Sequence, residues 1–483
     1  MTVSVSETEL HVRALQRRMP FHFGGVEATA GPQVLVGVTA RINGETASGQ
    51  SMGALAPMWF YKDPSMSLET GIAAMIDVFS TAASIAERTT GQTVFAFWQS
   101  LYDGVQSWAT GRSYPPLLWR FGVSLLEQAV IDAYCRRMET PFPTAVHEND
   151  LGIDLGVIYD ELEGIEPTTL LPDAPVRSTA IRHTVGLSDP LDDDDLTPEE
   201  RLEDGRPQTL AEYVRTDGVT HFKIKLAATD ADAQRLGRIH AVLESSPIDE
   251  YVVTLDANEG YSSARAFKRQ YRALSVDPAA SPLLDRVKYV EQPLARDESF
   301  TDETASTFAD WDDRPAVIID ESDDSLTSVQ RALDVGYDGT SHKNCKGVFN
   351  GIANRCLLAH RRRRDGRTYV MSGEDLTTLG PIEREQDLAV MATLGMDHVE
   401  RNGHHYYLGL SAFGESTQQA ALSDHPDLYR RHEQGFVTLN VQSGSIQLDS
   451  VLEAPFGRTV TIESERCTPV DSWHVDSIVH ADD

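Results

Sequence analysis

The stretch YVVTLDAN, residues 251–258, shows the pattern that decides the fold, a short apolar run that ends in a carboxylate. Two later runs repeat this pattern, VKYVEQP at 287–293 and AVIIDES at 316–322. From about residue 178 onward, five more apolar runs alternate with helical segments: STAIRHTVGL, HFKIKL, GTSHKN, TYVMSGED and HVERNGHHYYL. Alternation of strands and helices predicts a parallel sheet, and eight such units in about 240 residues match the size of a (β/α)8 barrel.

The N-terminal part of the chain has a different texture, with strands first and helices later. In VLVGVTARINGETASGQ (34–50), alternating apolar residues flank Asn43-Gly44, a two-residue turn signal that predicts a β-hairpin. In FGVSLLEQAVIDAYCRR (121–137), apolar residues recur at i, i+3, i+4 and i+7 from Leu126, which predicts an amphipathic helix. We therefore expect an α+β domain before the barrel.

The length of 483 residues also requires more than one domain, because a single core stops growing at roughly 250–300 residues. We expect an α+β domain at 1–175, the (β/α)8-type barrel at 176–425, and a C-terminal segment at 426–483 that packs back on the first domain. Residues 188–207, SDPLDDDDLTPEERLEDGRP, are acidic and punctuated by Pro and Gly. This composition predicts an exposed insertion in the first unit of the barrel.

Charge and composition exclude several classes of protein. The net charge is −32, with 74 acidic against 42 basic residues, which argues against a nucleic acid or an anionic membrane as partner. No apolar run approaches the ~18 residues of a membrane span, and no signal peptide is apparent. The four cysteines show neither metal-binding nor disulfide spacing. We expect a cytoplasmic protein, and the excess of acids with little lysine suits a salt-rich, halophilic cytoplasm.

Three carboxylates, Asp256, Glu291 and Asp320, end consecutive apolar runs. In a barrel, the C-terminal ends of the strands form the active site, so these three groups are expected side by side. Like charges at such short distances repel each other, so a cation is needed among them. Hard oxygen ligands from separate strands suit Mg²⁺. A turn or helix-capping role would be the simpler explanation for any one of them, but not for three in series.

The lysines are the second unusual feature, because the chain has only seven of them among its 42 basic residues. Lys223 and Lys225 are two apart in HFKIKL, so they project from the same face of a strand. Their mutual repulsion and partial burial are expected to lower a lysine pKa toward the range of a general base. Lys343, at the end of GTSHK, is expected across the mouth of the barrel. Lys346 is a weaker candidate.

The ordered set K-x-K (Lys223, Lys225), DAN (256–258), EQP (291–293), DES (320–322) and Lys343 resembles the enolase superfamily, in particular its muconate lactonizing enzyme and mandelate racemase branch. The resemblance extends to the first domain. LLEQAVIDAYCRRMETPF is similar to the family's capping-domain helix, VTARINGETASGQSMG to its strand pair, and RMPFHFGG and GALAPMWFYKDP to its two specificity loops. It implies an α/β fold in which an α+β capping domain, completed by the C-terminal tail, covers a (β/α)8-type barrel.

The resemblance also implies a mechanism. Mg²⁺, with Mn²⁺ as an alternative, is held by the three carboxylates and binds the carboxylate of a small-molecule substrate. Lys225 removes the α-proton, Lys223 tunes it, Lys343 acts from the opposite face, and the metal stabilises the enediolate. Supporting groups and substrate contacts are expected at the following positions: Asn258 and Glu321 beside the ligands, and Phe21, Phe23, Trp59, Tyr61, Glu374 and His404 at the substrate. A homo-oligomer is also expected.

Several alternatives stay open. The dehydratase branch of the family uses a His-Asp pair, but the sixth and seventh runs end in SHKN and SGED, so an acid-sugar dehydratase departs from its pattern. The Asp-x-Asp of the dipeptide epimerases has no counterpart in VERNGHHYYLG. A barrel aldolase that forms a Schiff base on Lys225 or Lys343, and a non-catalytic binding homologue, are further alternatives. The expected activity is that of an isomerase or lyase: cycloisomerisation, β-elimination or racemisation.

Overall fold

The computed structural model of the chain describes residues 1–23, 26–63 and 65–474. For residues 21–23, 26–28 and 465 it describes the backbone alone. The side chains of Phe21 and Phe23, which the sequence predicts as substrate contacts, therefore lie outside the described part. Gly24 of the same predicted loop and Pro64 of the second loop also lie outside it.

The first domain combines an antiparallel sheet with a layer of helices. Its strands are β1 (Val3–Arg13), β2 (Gln16–Phe23), β3 (Val26–Ala30), β4 (Gln33–Ile42), β5 (Glu45–Ala54) and β6 (Thr90–Gly91). Its helices are α1 (Pro57–Phe60), α2 (Leu68–Ala86), α3 (Val94–Thr110), α4 (Pro116–Met138) and α5 (Phe142–His147). Strands β4 and β5 pair antiparallel along their whole length. The turn between them consists of Asn43 and Gly44, whose φ angles are 54° and 85°. The predicted hairpin and its turn are therefore confirmed.

Helix α4 is the central helix of this domain. It packs on β4 and β5 and is flanked by α2 and α3, and the predicted apolar face that starts at Leu126 is buried. Among the described residues, one helix, α2, is long and apolar enough by composition to cross a membrane. One face of α2, with Ile72, Val78 and Phe79, is buried, and the helix packs against α3 and α4. The hydropathy of α2 thus reflects its place in the core.

Gly49 allows β5 to approach α4 closely. A Cβ atom on Gly49 would lie 2.0 Å from the Ala129 carbonyl oxygen and 2.5 Å from the Ala133 nitrogen. We predict that Gly49→Ala lowers the free energy of unfolding by about 1–3 kcal/mol, because strand and helix must separate. Gly37→Ala on the neighbouring strand is the control, since its Cβ would meet only Glu9 at 3.7 Å. Chemical denaturation measures both, and equal losses in the two variants would contradict the contact argument.

The second part of the chain forms a closed parallel barrel. Its strands are β7 (Ser178–Val185), β8 (His221–Lys225), β9 (Val252–Asp256), β10 (Val287–Glu291), β11 (Val317–Ile319), β12 (Gly339–His342), β13 (Val370–Gly373) and β14 (His398–Glu400). Each strand pairs in parallel with the next, and β14 pairs with β7 to close the ring. The eight apolar runs of the sequence are these eight strands, so the predicted barrel is confirmed.

Helices follow the strands around the outside of the barrel, as an α/β fold requires. They are α6 (Leu210–Asp217), α7 (Ala231–Glu244), α8 (Ala264–Val276), α9 (Ser281–Leu284), α10 (Asp302–Ala309), α11 (Ser328–Val335), α12 (Val348–Asp365), α13 (Glu383–Thr393), α14 (Gly403–Tyr406) and α15 (Glu415–Asp424). Short 3-10 turns connect several of these elements.

The acidic segment 188–207 lies between β7 and α6. Most of its side chains between residues 192 and 205 are exposed or half-buried, as predicted for an insertion. The last residues of the segment nevertheless contact the first domain, through Arg18 of β2. The Arg18 side chain is buried and donates hydrogen bonds to Asp204 at 2.6 Å and to the Pro207 carbonyl at 3.1 Å.

The C-terminal part of the chain bridges the two domains. It contains β15 (Tyr429–Arg431), β16 (Val437–Leu439), β17 (Ser445–Gln447), α16 (Asp449–Glu453) and β18 (Thr468–Pro469). Strand β17 pairs antiparallel with the start of β7 in the barrel, and β18 pairs antiparallel with β1 in the first domain. Between them, buried Arg458 forms an ion pair with Asp132 of α4. The predicted fold class, a barrel with an α+β domain to which the tail returns, is confirmed.

Candidate active site

Three carboxylates stand in a row at the C-terminal ends of neighbouring barrel strands. Asp256 is the last residue of β9 and pairs in register with Glu291, the last residue of β10. Asp320 directly follows β11. All three are almost completely buried. The strand order thus brings together three acids that are separated by about thirty residues each in the sequence, as expected for consecutive units of a barrel.

Lys223 of β8 lies in the middle of a group of carboxylates. Its Nζ is 2.8 Å from Glu291 Oε2 and 3.1 Å from Asp256 Oδ2. It donates hydrogen bonds to Glu374 Oε2 at 2.5 Å and to Glu400 Oε2 at 3.3 Å. Burial opposes the charge of Lys223, but the four carboxylates raise its pKa well above the ordinary value. The expected lowering of the lysine pKa is therefore wrong for Lys223, because the acids outweigh burial and the neighbouring lysine.

Lys225 projects from the same face of β8 but lies closer to solvent, with 19% of its side chain exposed. Its Nζ donates to Asp256 Oδ2 at 2.6 Å and to Asn258 Oδ1 at 2.7 Å. Asn258 in turn receives a fixed orientation, because its Nδ2 donates to Glu321 Oε1 at 3.2 Å and its backbone N–H donates to Asp256 Oδ1 at 2.9 Å. Asn258 and Glu321 therefore lie where the sequence places them, directly beside the carboxylate row.

Lys343 approaches the row from its other end, after β12. It contacts Asp320, and Lys346 Nζ lies 2.9 Å from the other oxygen of the same carboxylate. Burial alone would raise the pKa of Asp320, but the two lysines, with Lys223, hold it well below its usual range. Asp320 in turn raises the pKa of Lys343 against the effect of burial.

Helix α4 of the first domain fixes the loop that carries Lys343 and Lys346. The Arg120 guanidinium donates to the Lys346 carbonyl at 2.9 Å. Glu127 Oε1 accepts a hydrogen bond of 2.7 Å from the Phe349 backbone N–H in the first turn of α12. Burial raises the pKa of Glu127 to about 8. The position of Lys343 therefore depends on contacts between the first domain and the barrel.

The predicted substrate contacts lie in different surroundings. Trp59 is buried, and the Lys343 ammonium lies 4.6 Å from the centre of its ring. The Trp59 carbonyl accepts a hydrogen bond of 2.9 Å from Arg296, in the loop after β10. Tyr61 is half-buried, and its ring packs edge-to-face on Tyr114. Trp59 thus covers Lys343 at the barrel mouth.

His404 does not lie at the mouth. It packs against His183 and Tyr213, with ring centres 5.6 Å from each. His183 occupies the face of β7 opposite to Arg182 and Thr184, whose side chains point into the barrel. The short helix α14 thus places the His404 ring in this packing, and its contact with a substrate stays a prediction.

Glu374 follows β13 and points into the barrel interior. It forms an ion pair with Arg182 of β7, and neither side chain has any solvent exposure. Ser372 also donates a hydrogen bond to Glu374 Oε1. Glu374 also lines the small cavity beside Lys343, and its contact with a substrate stays a prediction. Glu400, the last residue of β14, was missed by sequence reasoning, although HVE ends in an acid just as VVTLD does.

A small cavity of about 20 Å³ lies beside Lys343, between the barrel and the first domain. It is lined by the following residues: Met52, Phe121, Gln128, Lys343, Asn344, Cys345, Glu374, Asp375, Leu376, Thr378, Glu383 and Asp387. Burial raises the pKa of Asp375 to about 7. Larger clefts of about 360 and about 400 Å³ lie on the outside, along α12 and α8. Of the predicted site residues, Lys343 and Glu374 line the smaller cavity. We place the candidate site at the carboxylate row beside it, because Lys343 also contacts Asp320 of that row.

Comparisons with known proteins identify the architecture. No family model and no curated protein matches the sequence. The structure is similar to muconate lactonizing enzyme from Pseudomonas fluorescens complexed with muconolactone, with a TM-score of 0.59 and 14% identity over 96% of this chain and 98% of that one. It is also similar to an enolase from Bradyrhizobium complexed with magnesium and mandelic acid, with a TM-score of 0.55 and 14% identity over 92% and 94% of the two chains.

A third similar structure is the dipeptide epimerase from Enterococcus faecalis complexed with Mg and L-Leu-L-Tyr, with a TM-score of 0.53 and 11% identity over 84% of this chain and 92% of that one. Structural similarity at sequence identities this low is evidence for a shared fold, not for a shared reaction. The motifs from Lys223 to Lys343 and the structural similarities agree on one architecture. The chain has the fold of the enolase superfamily, a closed parallel barrel with a separate N-terminal antiparallel sheet domain.

Proposed function

We propose that this chain is an enzyme of the enolase superfamily, an Mg²⁺-dependent isomerase or lyase that removes the proton α to a substrate carboxylate. One observation carries the proposal. Three buried carboxylates on β9, β10 and β11 are flanked by Lys225 at one end of the row and by Lys343 at the other. A substrate held at the row would have one ammonium group on each side of its α-carbon.

The carboxylate row fits a divalent cation in donor type, number and burial. Both oxygens of Glu291 are buried without a hydrogen-bond partner. Burial and the neighbouring acids Glu374, Asp256 and Asp320 raise the pKa of Glu291 well above its ordinary value, so additional positive charge would be favourable. Among the described residues, no acidic, histidine or cysteine side chains are already arranged as a complete set of three ligands. The Lys223 ammonium lies between Asp256 and Glu291 instead.

The chain's own residues divide the proton chemistry between them. Lys225 is the proposed base, because it is the more accessible of the β8 pair and is oriented by Asp256 and Asn258. Lys343 is the proposed acid, because Asp320 favours its protonated form. Lys223 stays charged among its carboxylates and tunes the site. Bound Mg²⁺, or Mn²⁺ in its place, would supply the charge that stabilises the enediolate form of the substrate.

The reaction class is cycloisomerisation, β-elimination or racemisation of a small carboxylic acid. A dehydratase that uses His342 is less well supported. The His342 ring is buried and its Nε2 lies 3.0 Å from Asn344 Oδ1, and burial lowers its pKa to about 4. A neutral, enclosed imidazole of this kind is not aimed at the carboxylate row.

Proton exchange in D₂O tests the proposal. The protein is incubated with Mg²⁺ and a set of carboxylic acids, and loss of the α-proton signal or of water is followed by NMR. We expect exchange for at least one acid, and we expect chelation with EDTA to abolish it. Borohydride is added in parallel. If the activity survives EDTA and borohydride traps a covalent substrate adduct on a lysine, the protein is a Schiff-base aldolase. That result would contradict the proposal.

A further inference from the structure

We propose that Arg182 and Glu374 are positioning residues that draw the Lys223 ammonium toward Glu374 and thereby limit its competition with a divalent cation for Asp256 and Glu291. The inference rests on the metal site proposed above and adds two residues to it. It concerns the competition between a lysine of the chain and the cation for the same carboxylates.

The competition follows from the distances. Lys223 Nζ lies within 3.1 Å of Asp256 and within 2.8 Å of Glu291, close enough for a strong electrostatic attraction in a buried site. A metal ion bound by the same two carboxylates would stand next to this ammonium. Two cations in one dry cavity repel each other. Metal binding therefore requires another acceptor that keeps the ammonium to one side.

The hydrogen bonds of Lys223 show where that acceptor is. The ammonium donates to Glu374 at 2.5 Å and to Glu400 at 3.3 Å. Its contacts with Asp256 and Glu291 are ion pairs, and both Glu291 oxygens lack a hydrogen bond. The hydrogen bonds of Lys223 are thus made to Glu374 and Glu400, and Glu374 receives the shorter of the two. The ammonium nevertheless stays 2.8 Å from Glu291 Oε2.

Glu374 can play this part because its other oxygen is fixed. Arg182 and Ser372 both donate to Glu374 Oε1, which leaves Oε2 facing Lys223. Arg182 is itself held at both ends of its guanidinium, by the Gly373 carbonyl at 2.8 Å and by His398 Nδ1 at 2.7 Å. The ion pair is fully buried, so neither group can turn to solvent. The pair therefore sets the position of Oε2 in the barrel interior.

The test measures Mg²⁺ affinity of the full chain by calorimetry. The single Glu374→Gln change would leave Arg182 buried without a counter-charge and could prevent folding. The main variant therefore removes both charges, Arg182→Met together with Glu374→Gln. We expect this variant to bind Mg²⁺ about 10- to 100-fold more weakly than the wild type, as is typical for groups that orient metal ligands.

Adding Lys223→Met to that variant is the decisive step. Without its ammonium, residue 223 no longer competes with the metal for Asp256 and Glu291, so the triple variant is expected to recover most of the lost affinity. A merely structural role would not produce such a recovery, because a third buried substitution adds further damage. The matched control is Arg458→Met with Asp132→Asn, another fully buried ion pair outside the barrel, which is expected to leave Mg²⁺ affinity unchanged.

The outcomes separate this inference from the proposed function. A folded double variant with wild-type affinity would overturn the positioning role, as would a triple variant as weak as the double one. In both cases the wild type still binds Mg²⁺ and the proposed function stands. If the wild type binds neither Mg²⁺ nor Mn²⁺, the proposed function fails and the inference falls with it.

Discussion

Lys225→Met is expected to slow Mg²⁺-dependent α-proton exchange by about 10²- to 10⁴-fold, the usual contribution of a general base. The variant should keep its fold and bind Mg²⁺ at least as tightly as the wild type, since the change removes a positive charge 2.6 Å from Asp256. A slower exchange rate with undiminished Mg²⁺ affinity would assign a chemical role to Lys225. Exchange is followed by NMR in D₂O, and metal affinity by calorimetry.

Two further variants complete this experiment. Lys288→Met is the control, because Lys288 is an exposed lysine near the start of barrel strand β10, at the opposite end of the barrel. It should leave exchange unchanged. Lys343→Met should lower the rate of the complete reaction as strongly as Lys225→Met, because the proposed mechanism needs a group on each side of the substrate. Full activity in either of the two site variants would contradict the assignment of base and acid.

Glu291→Gln is expected to abolish the stabilisation of the protein by Mg²⁺. For the wild type, Mg²⁺ at a hundredfold excess over Kd should add about 2.7 kcal/mol to the free energy of unfolding, because the metal binds only the folded state. Glutamine retains the shape of the side chain but removes the charge of the central ligand in the row. The rise in Tm with increasing Mg²⁺ measures the effect by differential scanning calorimetry.

In EDTA, where no metal is bound, Glu291→Gln is expected not to destabilise the protein. Glu291 is completely buried, and Glu374, Asp256 and Asp320 disfavour its charge. Removing one of several repelling acids should therefore leave Tm in EDTA equal to that of the wild type or higher. Glu250→Gln, an exposed glutamate just before β9, should change neither Tm. A Glu291→Gln variant that is still stabilised by Mg²⁺ would show that the metal binds elsewhere.

Local patterns were enough to predict the barrel and the row of carboxylates. Each strand is a short apolar run followed by its own helix, and Asp256 and Glu291 end two such runs, so neighbouring strands bring them together. The hairpin at Asn43 was equally local, since its turn requires residues that accept positive φ. These features depend on residues a few positions apart, and a single sequence contains that information.

The surroundings of Lys223 could not be predicted in the same way. Its hydrogen-bond partners Glu374 and Glu400 lie on strands that follow more than a hundred residues later, and Arg182 looks like an ordinary strand residue in STAIRHTV. The lysine pKa was expected to fall because only the neighbouring lysine and burial were considered. The direction of the shift depends on how many acids face the ammonium, which only the closed ring of strands determines.

The pairing of Thr468 with Val12 has a consequence for the newly made chain on the ribosome. A sheet whose edge strand is synthesised after the whole barrel cannot be finished until the barrel has been made. Asp132 of helix α4 pairs with Arg136 of the same helix at 3.0 Å, but it must wait for Arg458 to gain its second, buried partner. The nascent first domain thus has an open sheet edge and lacks one of the two cationic partners of buried Asp132, and both contacts form only when residues 458–469 have been made.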